Sequence, residues 1–195
     1  SALTPWMYSK IKKGDIRSMR KVLQLLSIVV VGIAVALMLI SPELVLIFGS
    51  PKYREAVYVI PPVAASVFFI FIYNILSMPQ FYYEKTQFLM AASMAAAGAN
   101  VVLNFIFIRL FGYIAAGYTT LACYMLYSVG HYIVSKRILV NEGIQENLMN
   151  PGFLVACSVF LIGASIICNL IFPYRILRYA ILLASAGLVF WKKEL

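Results

Sequence analysis

Two small groups of polar side chains interrupt an otherwise apolar chain, and they could do different chemistry. Glu84 and Lys85 are adjacent in the stretch MPQFYYEKTQFLM (residues 78–90), between two long apolar runs. An acid there could pair reversibly with a base of another element, as a gate requires. Asn100 and Asn104 lie four residues apart, so they share one helix face and could both hydrogen-bond to one polar ligand.

The residue types that enzymes use are sparse. His131 is the one histidine, and we expect it to be interfacial or to face the helix bundle rather than to act in catalysis. No spacing of His, Cys, Asp or Glu matches a metal site, and no nucleophile elbow or phosphate loop is present. The three cysteines lie in apolar runs, where they read as small packing residues: Cys123, Cys157 and Cys168. The sequence therefore predicts no enzyme, no catalytic residue, no metal and no cofactor.

The elements that must position these residues are membrane-spanning helices. Of the 195 residues, 63% are hydrophobic and 12% are charged, about half the charge of a soluble domain. Five uncharged runs exceed the roughly 20 residues that cross a bilayer: Val22–Pro42, Ala56–Tyr83, Thr86–Ile108, Leu110–Ser135 and Asn147–Tyr174. A sixth, Tyr179–Trp191, is shorter, but basic residues flank it. We expect an all-α, polytopic transmembrane bundle of about six helices.

The net charge of +9 is distributed as a topology signal. Eleven basic residues fall before the first run or in alternate loops: Lys10, Lys12, Lys13, Arg17, Arg20, Lys21, Lys85, Lys136, Arg137, Lys192 and Lys193. The opposite loops hold five: Lys52, Arg54, Arg109, Arg175 and Arg178. The positive-inside rule then places both ends of the chain, and Glu84 and Glu142, in the cytoplasm. No basic patch has a soluble domain behind it, so we expect no nucleic-acid partner.

Cap and breaker residues predict where the helices begin and end. Asp15 should cap a helix that starts at Ile16, and this helix should stop at Ser41–Pro42–Glu43, with a short helix over Pro42–Phe48 ending at Gly49. The second span should begin near Tyr53 and be kinked at Pro61–Pro62, and the third should begin near Thr86. Two turns should follow the third and fifth spans, at Phe111–Gly112–Tyr113 and Phe172–Pro173–Tyr174.

These signals divide the chain into four parts. Residues 1–21 form a basic cytoplasmic loop or amphipathic segment, and residues 22–137 form a four-helix unit. Residues 138–150 form a cytoplasmic loop, and residues 151–195 form a two-helix hairpin with a short cytoplasmic tail. The start at Ser1, with a Pro–Trp–Tyr cluster before the lysines, is typical of the exit of a preceding helix. We therefore expect the chain to be the later part of a longer protein.

Each candidate site residue has a structural and a functional interpretation. In the third span, small residues and asparagines repeat every four positions: Ala92, Ala96, Asn100 and Asn104. This row either packs helices together or lines a hydrated cavity, and either way it should face the bundle interior between the second and fourth spans. Lys52, Arg54 and Arg109 are either interfacial anchors or ligands for an anionic headgroup.

The gate and hinge candidates are equally open to two interpretations. Glu84 and Lys85 either set topology, with Glu84 capping the next helix or pairing with Lys85, or form a gate. Pro61 and Pro62 either form a hinge or are simply tolerated in the helix.

The order of several short motifs resembles a known family. SPELVLIFGSPKYREAVYVIPPVAASVFF (residues 41–69) is followed by FYYEKTQFLMAASMAAAGANVVLNFIFIRLFGYIAAGYTTLACY (residues 81–124). Together they resemble polysaccharide flippases of the Wzx type, in the MATE-like multidrug/oligosaccharidyl-lipid/polysaccharide exporter superfamily. The resemblance covers roughly residues 2–137, and the closing hairpin only by position.

The resemblance implies two helical lobes around a cavity, which flip undecaprenyl-pyrophosphate-linked oligosaccharide across the bacterial plasma membrane for surface polysaccharide synthesis, O-antigen among them. The chain would supply four helices of the second lobe and two that follow it. Its partners would be the bilayer, the lipid-linked oligosaccharide and the preceding lobe of the same protein. Basic cavity residues of such flippases hold the pyrophosphate, but no arginine or lysine lies mid-span here.

Two other functions fit the same pattern. One is a multidrug or small-molecule exporter of the same superfamily, although a cation-coupled drug exporter would be expected to carry a mid-membrane acid. The other is a non-transporting membrane scaffold, which would not need polar groups on the buried face of the third span.

Overall fold

A computed structural model describes residues 3–182, apart from the side chains of residues 51–53. The described chain is all helical, and its elements follow the predicted order. They are α1 (Leu3–Lys12), α2 (Ile16–Phe48), a 3₁₀ segment (Pro51–Val59), α3 (Ile60–Tyr82), α4 (Gln87–Phe111), α5 (Ala115–Asn141) and α6 (Pro151–Ile171). Residues 175–182 are again helical. The predicted all-α bundle is confirmed, while most of the sixth predicted span and the cytoplasmic tail lie outside the described residues.

Four helical stretches of the described chain are long and apolar enough to cross a membrane. They are Ile16–Phe48, Arg54–Tyr82, Gln87–Phe111 and Pro151–Ile171. The predicted fourth span, α5, has 27 residues but is not among them, because several tyrosines and His131 lower its hydropathy. Four of the five predicted spans that fall among residues 3–182 thus meet this measure, while most of the sixth, Tyr179–Trp191, lies outside the described residues. Polar residues on α5 are a first indication that this helix serves more than packing.

α3 is the centre of the bundle, because α1, α2, α5 and α6 all pack on it. Its buried apolar residues share one broad face of the helix: Ala64, Ala65, Phe68, Phe69, Ile72, Ile75 and Leu76. Val63, Val67 and Asn74 lie on the other side and are exposed. A helix that is apolar all round is stable only when neighbours or lipid cover every side. α4 is the opposite case, since it has no buried residue and packs almost entirely on α5.

The first span begins as predicted but does not stop where predicted. The Asp15 carboxylate accepts a hydrogen bond from the Ser18 N–H, which caps α2. At the other end, α2 continues through Pro42 to Phe48, so the predicted break at Ser41–Pro42 is wrong. Proline removes the hydrogen bond to the carbonyl four residues earlier, and the Ser41 hydroxyl donates to that carbonyl, on Met38, at 2.8 Å.

The paired prolines start α3 rather than interrupt it. Residues 51–59 form the 3₁₀ segment, and Pro61 and Pro62 occupy the first turn of α3, where a missing N–H costs nothing. The predicted start of the second span near Tyr53 agrees with the membrane-length stretch Arg54–Tyr82, whose first turns are 3₁₀ and whose α-helical part begins at Ile60. Gly117 of α5 lies so close to this junction that a Cβ would come within 2.8 Å of the Pro62 ring and 3.0 Å of the Val59 carbonyl oxygen.

The turn between α4 and α5 is confirmed, and the loop after α5 is shorter than predicted. Gly112 has a φ of 78°, a conformation that glycine adopts at little cost, and α5 begins three residues later. α5 then continues to Asn141, so the loop predicted from residue 138 begins after that residue. Hydrogen bonds from Glu142 and Ile144 to the Leu139 carbonyl end the helix.

The segment before α2 is a helix rather than a loop. Met7 and Ile11 of α1 are 1% and 2% exposed, because α1 packs on α2 and α3. Residues 16–21 already belong to α2. The predicted basic segment is thus tied to the bundle by its apolar side.

The two sets of predicted loops lie at opposite ends of the bundle. Side-chain contacts at one end join Tyr8 with Tyr82, Arg20 with Glu146 and Lys85 with Glu142. Contacts at the other end join Glu43 with Arg178 and Glu55 with Tyr113. This alternation agrees with the predicted topology, whose orientation relative to the cytoplasm stays a prediction.

Candidate functional site

A groove between α3, α4 and α5 gathers tyrosine rings, hydroxyls and an amide on one surface. Its volume is about 450 Å³. The residues that give it its character come from all three helices: Tyr73, Ser93, Asn100, Thr120, Tyr124 and Tyr127. Small residues of α4, Ala96 and Ala97, leave the space between them. We call this the tyrosine groove.

The tyrosines are arranged as a stack with hydroxyls at its edge. The rings of Tyr73 and Tyr124 are 6.2 Å apart and almost parallel, at 5°, while the Tyr127 ring lies 4.7 Å from Tyr73 at a steep angle. The Tyr127 hydroxyl is 2.7 Å from the Ser93 hydroxyl of α4. The sequence places Thr120, Tyr124 and Tyr127 at intervals of four and three, so one face of α5 carries all of them.

The two asparagines of α4 have different surroundings. Asn104 donates to the Asn100 side-chain oxygen at 2.9 Å and accepts a short hydrogen bond from the Thr119 hydroxyl of α5. Asn100 lines the tyrosine groove, whereas Asn104 does not. Asn104 therefore joins two helices, and Asn100 is the one of the pair that can meet a ligand.

The row that contains these asparagines faces a neighbour as predicted, but on one side only. Ala92, Ala96, Asn100 and Asn104 are half-buried, whereas the parallel row is exposed: Ala91, Ala95 and Ala99. The row meets the second and fourth spans as predicted, because Ala96 and Asn100 line the tyrosine groove together with Tyr73 of α3 and Tyr124 of α5. α4 itself packs mainly on α5, at the edge of the bundle. Each α4 residue in the row contributes a small side chain or a polar contact to that one interface.

His131 lies directly behind the tyrosine groove. It is 0% exposed, and the Gln80 amide donates to its Nδ1 at 2.7 Å. Its ring meets the edge of Tyr127 at 4.5 Å and also contacts Tyr73 and Phe88. The prediction that His131 faces the bundle is confirmed, and its contacts make it a positioning residue for two groove tyrosines, which the sequence did not indicate.

The polar layer behind the groove is incompletely paired. His131 Nε2, Gln80 Oε1 and Ser135 Oγ are buried and find no hydrogen-bond partner among residues 3–182. Such a group costs about 1–3 kcal/mol when it is left unpaired. Three of them lie in one place, where a bound water or a ligand could pair with them.

The basic candidates do not join the groove. Arg109 is exposed, and its guanidinium lies 3.9 Å above the Phe105 ring centre, on another face of α4 from Asn104. Arg54 is exposed as well, and the side chain of Lys52 lies outside the described part. Arg54 and Arg109 therefore lie outside the tyrosine groove.

The structure shows the surroundings of the gate candidates Glu84 and Lys85, and the pairing between them that was one of the predicted alternatives is not formed. Lys85 pairs with Glu142, across 57 residues, at 2.8 Å. Glu84 is exposed with a φ of 58°, and its carboxylate makes no bond to any other residue in the described ranges. Thr86, not Glu84, occupies the N-cap position of α4. The sequence offers no local signal for the Lys85–Glu142 pair, because its partners come from different loops.

A buried ion pair at the opposite end went unpredicted. Arg178 is 3% exposed and binds the Glu43 carboxylate through both terminal nitrogens, at 2.8 Å each. It also donates to the Leu39 carbonyl, one turn before Glu43, at 2.9 Å. Arg178 thus stabilises the part of α2 that Pro42 weakens. The Ser41–Pro42–Glu43 motif predicted a helix end, because nothing near it in the sequence points to Arg178, which is 135 residues from Glu43.

The tyrosine groove can bind by ring stacking and by hydrogen bonding, and it brings no nucleophile and base together. Across residues 3–182, no three His, Cys, Asp or Glu side chains come close enough to share a metal ion. Cys123 and Cys168 are buried free thiols, in keeping with their predicted packing role. Compared with known proteins, the chain matches no protein-family model, no curated protein and no solved structure.

Proposed function

We propose that the chain is part of a membrane transporter that flips a lipid-linked oligosaccharide, in which the tyrosine groove binds the sugar. The observation that carries this proposal is the groove itself. Three tyrosines, an amide and two hydroxyls converge there, and residues 3–182 include four helices of membrane-spanning length. Polar residues placed among apolar spans are expensive and usually serve a ligand or a cavity.

The chemistry of the groove suits a sugar better than an apolar drug. Sugar rings present apolar C–H faces, which pack on aromatic rings, and hydroxyls, which pair with amides and hydroxyls. Tyr73 and Tyr124 offer the first kind of contact, and Asn100 and Ser93 offer the second. A few fixed polar groups on a mainly apolar wall are what give a binding site its orientation and specificity.

The phosphate of the substrate must be held elsewhere, because no lysine or arginine lines the tyrosine groove. Arg54 and Arg109 remain candidates, since both are exposed and neither is held by an acid of the described chain. The resemblance to Wzx-type flippases supports a preceding lobe of the same protein that faces the groove and completes the site. Rocking of the two lobes would then expose the sugar to each side of the membrane in turn.

Flipping by the intact protein in proteoliposomes tests this proposal. The substrate is an undecaprenyl-pyrophosphate-linked oligosaccharide, and the readout is the fraction that a membrane-impermeant lectin can reach with time. Tyr124→Ala and Asn100→Leu should slow flipping at equal protein content. Val102→Ala is the matched control, because Val102 is exposed on α4 and outside the groove.

The alternatives give different results in the same vesicles. A small-molecule exporter of the same superfamily would move a cationic dye and leave the lipid-linked sugar in place. A scaffold would move neither. Flipping that is unchanged in Tyr124→Ala and Asn100→Leu would overturn the role of the groove.

A further inference from the structure

A second groove, on the other side of α5, is lined almost entirely by apolar side chains. It lies between α3, α5 and α6 and has a volume of about 370 Å³. Phe68, Phe69 and Ile72 form its floor and are at most 4% exposed. Its walls carry Val129, Val155 and Val159, which are 55–66% exposed. We call it the apolar cleft.

The apolar cleft continues into a basic hollow at the end of α5. Tyr132 lines both spaces. The hollow has a volume of about 450 Å³ and is lined further along the same helix by Ile133, Lys136, Arg137, Val140 and Asn141. We call it the basic mouth. Met125 to Lys136 is a stretch of roughly 16 Å along the helix, about half the thickness of a bilayer core.

The charge of the basic mouth is not neutralised by the acids beside it. The two acids that follow α5 are each paired with a cation from elsewhere, Glu142 with Lys85 and Glu146 with Arg20. Lys136 and Arg137 are exposed and make no hydrogen bond or ion pair within the described ranges.

We propose that the apolar cleft and the basic mouth together bind one anionic phospholipid. Its phosphate lies on Lys136, Arg137 and the Tyr132 hydroxyl, and one acyl chain lies in the apolar cleft. Basic pockets between membrane helices bind anionic headgroups, and lysine and arginine make charge-assisted hydrogen bonds to phosphate. The apolar cleft and the basic mouth together extend over about half a bilayer core, which matches one leaflet, and the uncompensated charge selects an anionic lipid over a zwitterionic one.

Native mass spectrometry of the detergent-purified full chain tests this site. Phosphatidylglycerol and phosphatidylcholine with the same acyl chains are added in turn, and bound lipid is counted. We expect tighter binding of phosphatidylglycerol. Lys136→Gln with Arg137→Gln should reduce that preference by about 30-fold, given the usual contribution of two basic residues near an anionic surface.

Three further variants separate binding at this site from general electrostatic attraction. Val155→Trp fills the apolar cleft and should weaken both lipids, and Val159→Trp repeats this from the next turn should the first variant fold poorly. Lys12→Gln with Lys13→Gln removes the same charge from α1 and should leave the preference unchanged. An equal loss of the phosphatidylglycerol preference in the Lys12→Gln, Lys13→Gln variant would overturn the proposal, because nonspecific electrostatic attraction would then explain the preference.

The identity of the occupant is tested by two more ligands. Glycerophosphoglycerol, the soluble headgroup, should not bind, because the apolar cleft supplies the chain contacts. A polyprenyl phosphate should bind more weakly than phosphatidylglycerol. Headgroup binding equal to that of the lipid, or tighter binding of the polyprenyl phosphate, would contradict the assignment to a phospholipid.

Discussion

Replacing Glu43 by glutamine should destabilise the protein strongly, although the two side chains have the same shape. The change leaves Arg178 buried, at 3% exposure, without a counter-charge. Removing one partner of a buried ion pair costs about 3–5 kcal/mol. Glu43 is itself partly accessible, at 21%, and the Leu39 carbonyl still accepts from Arg178. We therefore expect a loss at the low end, about 3 kcal/mol.

Reversible unfolding of the purified protein in mixed micelles of mild detergent and dodecyl sulfate measures this loss. Arg175→Gln is the matched control, because Arg175 is 67% exposed with its Nε 4.0 Å from the same carboxylate, and exposed pairs contribute about 0–1 kcal/mol. A double variant, Glu43→Gln with Arg178→Met, should recover much of the loss, since no buried charge remains. Equal, small effects of Glu43→Gln and Arg175→Gln would refute the reasoning.

Three further predictions concern the groove helix, the gate stretch and the first cap. Asn104→Leu should lower stability by about 0.6–2 kcal/mol, the range for a hydrogen bond between membrane helices, and Thr119→Val should do the same; additive losses in the double variant would contradict a shared bond. Glu84→Gly should raise the free energy of unfolding, because a φ of 58° strains any residue with a Cβ, whereas Glu84→Gln should leave it unchanged; reduced transport by Glu84→Gln at equal protein content would support the gate. The hydrogen bond from Lys10 holds the pKa of the Asp15 carboxyl below its usual value. Capping by Asp15 is therefore fully present above the unfolded-state pKa and is lost as the pH falls through the lowered folded-state pKa. Protection of the amides at the start of α2 against hydrogen exchange, relative to their intrinsic rates, should fall in that pH range, and should not do so in Asp15→Asn.

Local signals in the sequence predicted the helices because they act over a few residues. Asp15 caps α2, Thr86 precedes α4, and Gly112 supplies the turn before α5. Each of these depends on the backbone within one helical turn. The lengths of the apolar runs predicted the all-α class for the same reason.

The errors arose where distant residues decide the structure. Pro42 does not end α2, because Ser41 and the remote Arg178 satisfy the carbonyls near it. Lys85 pairs with Glu142 rather than with its neighbour. A sequence read along one helix cannot anticipate partners that only tertiary packing brings close.

The candidate site was predicted in part. The spacing of Asn100 and Asn104 identified the correct face of α4, but not which of the two faces a groove. Tyr73, Tyr124 and Tyr127 are far apart in the sequence or lost among thirteen tyrosines. His131 was recognised as a bundle residue, yet its contact with those tyrosines depends on how α3 and α5 pack.

The close approach of Gly117 to Pro62 gives the predicted proline hinge a direction. A Cβ on Gly117 would already overlap the Pro62 ring, so no free volume remains on that side. Bending at Pro61–Pro62 toward α5 would drive the ring into the α5 backbone, whereas bending away from α5 meets no such obstacle. If Pro61–Pro62 is a hinge, it should therefore bend away from α5 and not toward it, with Gly117 as the stop.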